Sequence, residues 1–325
     1  MMNNPEKPDT DKPTLTDIPV RKHVEDTLNG VGATEIVSFD DIENLTARVY
    51  EGKTATGDSY LAATDKGIGR DENQDCLLID PTNNLFVVID GVGSGKNSKQ
   101  AAISIAEGFR EKPKDPAQAI EKACDFMKND GVSPDPDSPE YGGACFASVR
   151  MVEKSAGRYL EVAKSGDVKV LILKNNSIVW ESHDDSDIQQ LIDAKILTGH
   201  EPYYSPYAGQ INKMIGPEYH SDDFEIVNPD ILLEKGMRII VMTDGITDNI
   251  VPIEIEKHLQ KHPNLSSREL LEWLSAETDK RMINAQETLR KTDELGGREK
   301  LETYPDGWLN APKQDNRGLV IVDVQ

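Results

Sequence analysis

Cysteine is scarce in this sequence. Only Cys76, Cys124 and Cys145 occur, in largely apolar surroundings and without a CxxC spacing. That excludes a disulfide frame and a thiolate zinc site, and reads as three small core residues in a reducing compartment. Histidine is scattered: His183, His200, His220, His258 and His262 lie in polar stretches, read as solvated, and trace no Ser-His-Asp arrangement. Nowhere do about 18 apolar residues run together. The opening MMNNPEKPDTDKP holds no apolar signal core, so a soluble, cytoplasmic protein is expected. Positive charge is in deficit, with Lys+Arg 36 against Asp+Glu 58, a net charge of −22. Such a surface repels nucleic acid and anionic membranes, and neither is an expected partner. It repels phosphate as well. A phosphate-handling site here requires a metal or an arginine strong enough to invert the local field.

At 325 residues the chain can hold one large domain or two small ones. Residues 1–20 carry Pro5, Pro8, Pro13 and Pro19 among polar residues and read as a mobile tail. Residues 24–45 are ambiguous, with a short helix one reading, so 1–45 is taken as a weakly ordered extension of a domain over 46–325. Apolar runs at 85–89 and 237–242 read as buried strands, and each ends in Asp-Gly: Asp90-Gly91 and Asp244-Gly245. Strands are also expected at 48–50 (with a turn at 51–53), 60–64, 76–79, 143–149, 159–164 and 318–322. A hairpin joins 168–173 to 177–180 across Lys174-Asn175-Asn176.

Ala102, Ile105, Ala106 and Phe109 recur at helical spacing behind a cap at Asn97 or Ser98. Asp115-Pro116 opens a second helix, with Ile120, Ala123, Cys124 and Met127 as its stripe. Ser266 and Glu269 match a capping box ahead of Leu270, Leu271, Leu274 and Met282. The continuation is so charged that it is expected to project or end early, a charged helical insertion near 279–312. The stretch 184–216, with Tyr203, Tyr204 and Tyr207, reads as a surface flap. Strands in blocks with helices between them predict an α+β layering rather than a doubly wound sheet.

Asp75, Asp90, Asp167, Asp244 and Asp315 all stand at strand boundaries beside Gly, Asn or another turn former. Taken singly, Asp90 is a strand end with a solvated carboxylate, Arg70 a salt bridge to Asp71 or Glu72, and Asp167 a turn carboxylate. Packed sheets bring strand ends together, and converging carboxylates raise one another's pKa unless cations neutralise them. Two or more Mg2+ or Mn2+ ions resolve that. Hard cations take oxygen ligands, and Asp90 with the carbonyl of Gly91 offers two kinds. Arg70 is a natural bidentate partner for phosphate oxygens.

The order of these stretches resembles that of the type 2C (PPM-type) metal-dependent serine/threonine protein phosphatases, in a bacterial-like form. Gly67-x-x-Arg70-x-x-Asn73-Gln74-Asp75 is similar to the family's opening motif, Asp90-Gly91-x-Gly93 to its DG turn, and Gly166-Asp167 to its GDS corner. Gly142-Gly143-Ala144 stands at its Gly-Ser/Thr step, Thr243-Asp244-Gly245 at its SDG and Asp315-Asn316 at its final DN. The similarity runs over residues 60–324.

The resemblance implies a four-layer β-sandwich of two mixed sheets flanked by helices. It implies two Mn2+ or Mg2+ ions, with a third weakly bound, and phosphoprotein substrates. Asp90 would bridge two metals and Gly91 would lend its carbonyl. Asp244 and Asp315 would complete one shell, and Asp75 would act through metal-bound water. Asp167 with Asp244 would make the third site, and Arg70 would hold the phosphate. Water would be the nucleophile, without a covalent phosphoenzyme.

Val92 replaces a histidine proposed as general acid, and Gln74 replaces a Glu. Asn316-Arg317-Gly318 replaces Asn-x-Thr. A catalytically silent phosphoprotein-binding scaffold is the alternative, though such a relative would have lost a metal carboxylate and none is lost. A metal-dependent nuclease is opposed by the net charge. No feature sets an oligomeric state.

Overall fold

The computed structural model describes residues 33–42, 44–92, 97–196, 210–219, 222–227, 229, 231–294 and 314–325, with backbone alone over 285–294. Among these residues, one sheet runs β1 (Glu35–Val37), β4 (Cys76–Asp80), β5 (Leu85–Gly91), β6 (Ala144–Lys154), β7 (Gly157–Ser165) and β10 (Glu225–Val227). The other runs β2 (Val49–Lys53), β3 (Ser59–Asp65), β12 (Arg317–Asp323), β11 (Arg238–Met242), β8 (Lys169–Lys174) and β9 (Ser177–Glu181). Every pairing between these strands is antiparallel. The α+β sandwich is as expected, but its sheets are antiparallel rather than mixed. β2–β3, β4–β5, β6–β7 and β8–β9 are hairpins, and a short turn can join only antiparallel neighbours.

β5 shows why the strands read as unbroken apolar runs. Phe86 and Val88 enter the core between the sheets, while Leu85, Val87 and Ile89 pack with residues of α1 (Ser98–Glu111) and α2 (Pro116–Asn129). β11 repeats this, with Ile239 and Val241 inside. The short α3 (Asp187–Asp193) and α4 (Asp244–Thr247) precede α5 (Pro252–Lys261) and α6 (Ser267–Glu294), and with these last two pack Ile240 and Met242 of β11. A strand covered on both faces has no polar face to show, and each buried Val, Leu or Phe contributes about 1.5–3 kcal/mol. The result is four layers, helix–sheet–sheet–helix.

Local signals were reliable at several ends. Asp115 accepts the Gln118 N–H at 3.0 Å. Glu269 accepts from the Ser266 N–H at 2.8 Å while the Ser266 hydroxyl accepts the Glu269 N–H at 3.2 Å. Asn175 (φ 52°) and Asn176 (φ 61°) adopt the left-handed pair that a two-residue hairpin requires.

Others need correction. Residues 51–53 continue β2, and the turn comes later, where the Thr54 N–H bonds Asp58 O. Glu35–Val37 is a strand, not a helix, so the sheet starts ahead of residue 46; β4 supplies its pairing. Asn97 stands at the cap of α1, but its side chain donates to Glu140 instead. α6 does not end early: it runs on to Glu294, with Met282 fully buried on the expected face and Arg281 paired with Glu254 at 3.0 Å. The short edge strand β10 escaped notice because it is mostly exposed. The flap tyrosines, the tail over 1–32, Gly93 and residues 295–313 lie outside the described residues.

Candidate metal centre

Register gathers the strand ends on one rim. Cys76 pairs with Ile89, which sets Asp75 beside Asp90, and Asp90 itself lies opposite Cys145. In the second sheet Met242 pairs with both Lys169 and Leu319, so the stretches carrying Asp244, Asp167 and Asp315 meet. Arg317 pairs with Asp65, where the loop bearing Arg70 and Asp75 sets out.

Carboxylate oxygens of Asp90, Asp167 and Asp244 lie within 4.8 Å of one another. Asp75 is 1% exposed, and its Oδ2 accepts from the Thr243 hydroxyl at 2.8 Å. Asp315 stands outside the group of three: its Oδ2 receives Arg70 Nη2 at 2.7 Å, and Arg70 Nε donates to Gln314 O at 3.1 Å. Arg70 therefore pairs with Asp315 rather than with Asp71 or Glu72. The expected residues thus share one rim, and it is Asp167, not Asp315, that joins Asp90 and Asp244 in the group of three.

Electrostatics make the rim a place that calls for cations. Burial, then the charges of Asp244, Asp75, Asp315 and Asp167, push the Asp90 carboxyl far above its ordinary range. Asp75 is likewise pushed far up by burial and by Asp315, against the opposing bond from Thr243. Close carboxylates in a dry setting hold protons unless a cation replaces them. The donor set is all oxygen, which fits Mg2+ or Mn2+. Cys145 does not join it, because burial first, and then Asp167 and Asp90, raise its thiol far above its usual value.

The supports beneath the rim tie distant stretches together. Asn316 accepts the Gln74 N–H at 2.9 Å and donates to Lys66 O at 2.8 Å and Glu72 O at 2.9 Å. It thereby fastens the Arg70–Asp75 loop to the entrance of β12. Close approach explains Gly67 and Gly245: an added Cβ would stand 2.0 Å from Asp315 O and 1.9 Å from Asn316 O respectively.

Arg317, wholly buried, places Nε 2.9 Å from Asp65 Oδ1 and Nη1 2.6 Å from Asp279 Oδ1 and 2.7 Å from Thr278 Oγ1. Burial would lower its pKa, but pairing with Asp65 and Asp279 outweighs it and the net direction is upward. For Asp65, burial wins over Arg317 and the carboxyl moves up. An arginine keeps its proton, so the Arg317 charge works against burial in favour of the ionised Asp65 carboxyl.

Sequence reasoning missed Thr243 as a hydrogen-bonding residue, though its hydroxyl accepts the Gly318 N–H at 2.8 Å while donating to Asp75. It also left Arg317 without a role. A lone Arg among apolar strand residues, followed by Leu319 to Val322, was the available signal. His258 is not simply solvated: it is half-buried and stacked on Trp273, ring centroids 3.8 Å apart.

By sequence, no protein-family model and no curated protein matches the chain. Solved structures do match by shape. The Mycobacterium tuberculosis serine/threonine phosphatase PstP/Ppp aligns at a TM-score of 0.60 and 16% identity, over 82% of this chain and 98% of its own. Serine/threonine phosphatase Stp1 from Staphylococcus aureus gives 0.54 and 16%, over 89% and 100%. The catalytic domain of PstP solved with two manganese ions gives 0.54 and 19%, over 82% and 98%. The chain thus has the fold of the PPM-type serine/threonine phosphatases.

Proposed function

We propose that this protein is a metal-dependent hydrolase of phosphoserine and phosphothreonine in proteins, using Mn2+ or Mg2+. The observation that carries the reading is the approach of Asp90, Asp167 and Asp244 to within 4.8 Å, on a fold shared with phosphatases. Asp90, Asp244 and Asp315 would hold two ions with the Gly91 carbonyl, Asp75 would contribute through water, and Asp167 with Asp244 would hold a third. Bound divalent ions lower the pKa of water and neutralise phosphoryl oxygens. Arg70 would turn its guanidinium from Asp315 to the substrate phosphate. The attacking group is water, so no covalent phosphoenzyme forms.

Val92 offers no proton, and the leaving group takes one from solvent. Retention of all five carboxylates supports an enzyme over a silent scaffold. A cytoplasmic setting belongs to the same proposal, supported by three buried free thiols. Among the described residues no helix is long and apolar enough to cross a membrane. Hydrolysis of p-nitrophenyl phosphate with Mn2+, Mg2+, Ca2+ or EDTA, beside a phosphothreonine peptide, tests the reading. Turnover that survives EDTA, or no turnover with any ion, overturns it.

A further inference from the structure

We propose that Asp185, locked to the buried Lys164, is a positioning residue that holds Asp167 at the metal centre; the inference rests on the phosphatase reading above. Lys164 lies near the end of β7 and Lys169 opens β8, so the two flank the corner that carries Asp167. Both are 1% exposed. A buried ammonium requires a carboxylate partner, and two consecutive aspartates supply one each. Lys164 Nζ is 2.7 Å from Asp185 Oδ2, and Lys169 Nζ is 2.6 Å from Asp184 Oδ1.

Asp185 also grips the corner directly. Its Oδ2 accepts the Gly166 N–H at 3.0 Å, and its own N–H donates to Gly166 O at 3.0 Å. Both backbone groups of the residue before Asp167 are therefore held by one aspartate. On the other side, Gly166 (φ +85°) is pressed so close to Cys145 that a Cβ would stand 2.0 Å from its Sγ. Cys145 is the cross-strand partner of Asp90. The corner is thus trapped between the Asp90 strand pair and Asp185, and the distance from Asp167 to Asp90 depends on both walls. Asp167, Lys169, Asp184 and Asp244 line one cleft, so the neighbouring Lys169–Asp184 pair faces the same space as two of the carboxylates. Glu225, 3.6 Å from Lys164, and Lys213, 3.6 Å from Asp185, also face the pair.

Groups that orient a metal ligand change metal affinity by about tenfold to a hundredfold when removed. The test is calorimetric Mn2+ binding to the full chain, run beside p-nitrophenyl phosphate turnover against Mn2+ concentration. Asp185→Asn is expected to weaken the loosest Mn2+ event, and to raise the Mn2+ needed for half-maximal turnover, about tenfold or more. Added Mn2+ is expected to recover the lost rate. Asp167→Asn should reproduce the calorimetric loss, and the double variant should lose no more than Asp167→Asn alone.

Should Asp185→Asn not fold, Lys164→Met gives the same reading, with Lys164→Arg restoring affinity. An isotherm within about twofold of wild type for whichever variant folds, or a loss that adds fully to that of Asp167→Asn, overturns the clamp. Wild-type protein that neither binds Mn2+ nor hydrolyses the ester overturns the phosphatase reading, and the clamp with it.

Discussion

Replacing Arg317 by Met removes the largest wholly buried side chain among the described residues and leaves Asp65, itself without exposure, facing an apolar group. Breaking one partner of a buried pair costs about 3–5 kcal/mol, because the remaining charge has no compensation. Loss of the partly exposed Asp279 contact adds at most about 1 kcal/mol, and Thr278 keeps its bonds to Leu274 O and Ser275 O. Against a total of about 5–15 kcal/mol for a folded domain, the variant is expected to be marginal but measurable by urea unfolding.

The loss should also carry a pH signature. Without the guanidinium, the folded-state pKa of Asp65 rises further above its ordinary 3.8, so the folded form holds a proton that the unfolded form releases. Stability then falls as pH rises from 3.8 toward the raised folded value, by up to about 1.4 kcal/mol per pH unit. The penalty should therefore be smaller near about pH 5 than near about pH 7.5. Adding Asp65→Asn to Arg317→Met should recover most of it. A loss below about 1 kcal/mol at the higher pH, or a second substitution that only adds damage, would refute the reasoning.

Asp90→Asn should abolish turnover and the Mn2+-induced rise in Tm while leaving the metal-free fold intact; near-wild-type turnover would remove Asp90 from the mechanism. Arg70→Ala should raise KM about tenfold to a hundredfold, for a lost charged hydrogen bond of about 1.5–3 kcal/mol. An unchanged KM for both phosphopeptide and phenyl phosphate counts against the phosphate clamp. Gly245→Ala should cost about 1–3 kcal/mol in urea unfolding, since its Cβ would sit 1.9 Å from Asn316 O; an unchanged midpoint contradicts that contact. Because Asp75 and Asp90 carry raised pKa values, metal-free protein should lose stability as pH rises above 3.8 through those values. Saturating Mn2+ should reverse that trend, and a Tm that climbs with pH in EDTA would contradict it.

Local chemistry was legible because it acts over a few residues. Alternation, Asp115-Pro116, the Ser266–Glu269 box and the Asn175-Asn176 turn all appear where the sequence placed them. The recurrence of Asp beside turn formers at strand ends was enough to point to one rim. Sequence could not show which partners close that rim, because the contacts span most of the chain. Asp65 meets Arg317 across 252 positions, Thr243 meets Asp75 across 168, and Asn316 meets Gln74 across 242. Strand direction was legible where a short turn joins neighbours, as at Lys174-Asn175-Asn176, and hidden elsewhere, since periodicity is the same in parallel and antiparallel sheets. What the residues by themselves determined was the set of strands, helix starts and acidic strand ends. Only the packing of two sheets decided that Asp167 joins Asp90 and Asp244, that Arg70 turns to Asp315, and that Lys164 and Lys169 flank the Asp167 corner with an aspartate apiece.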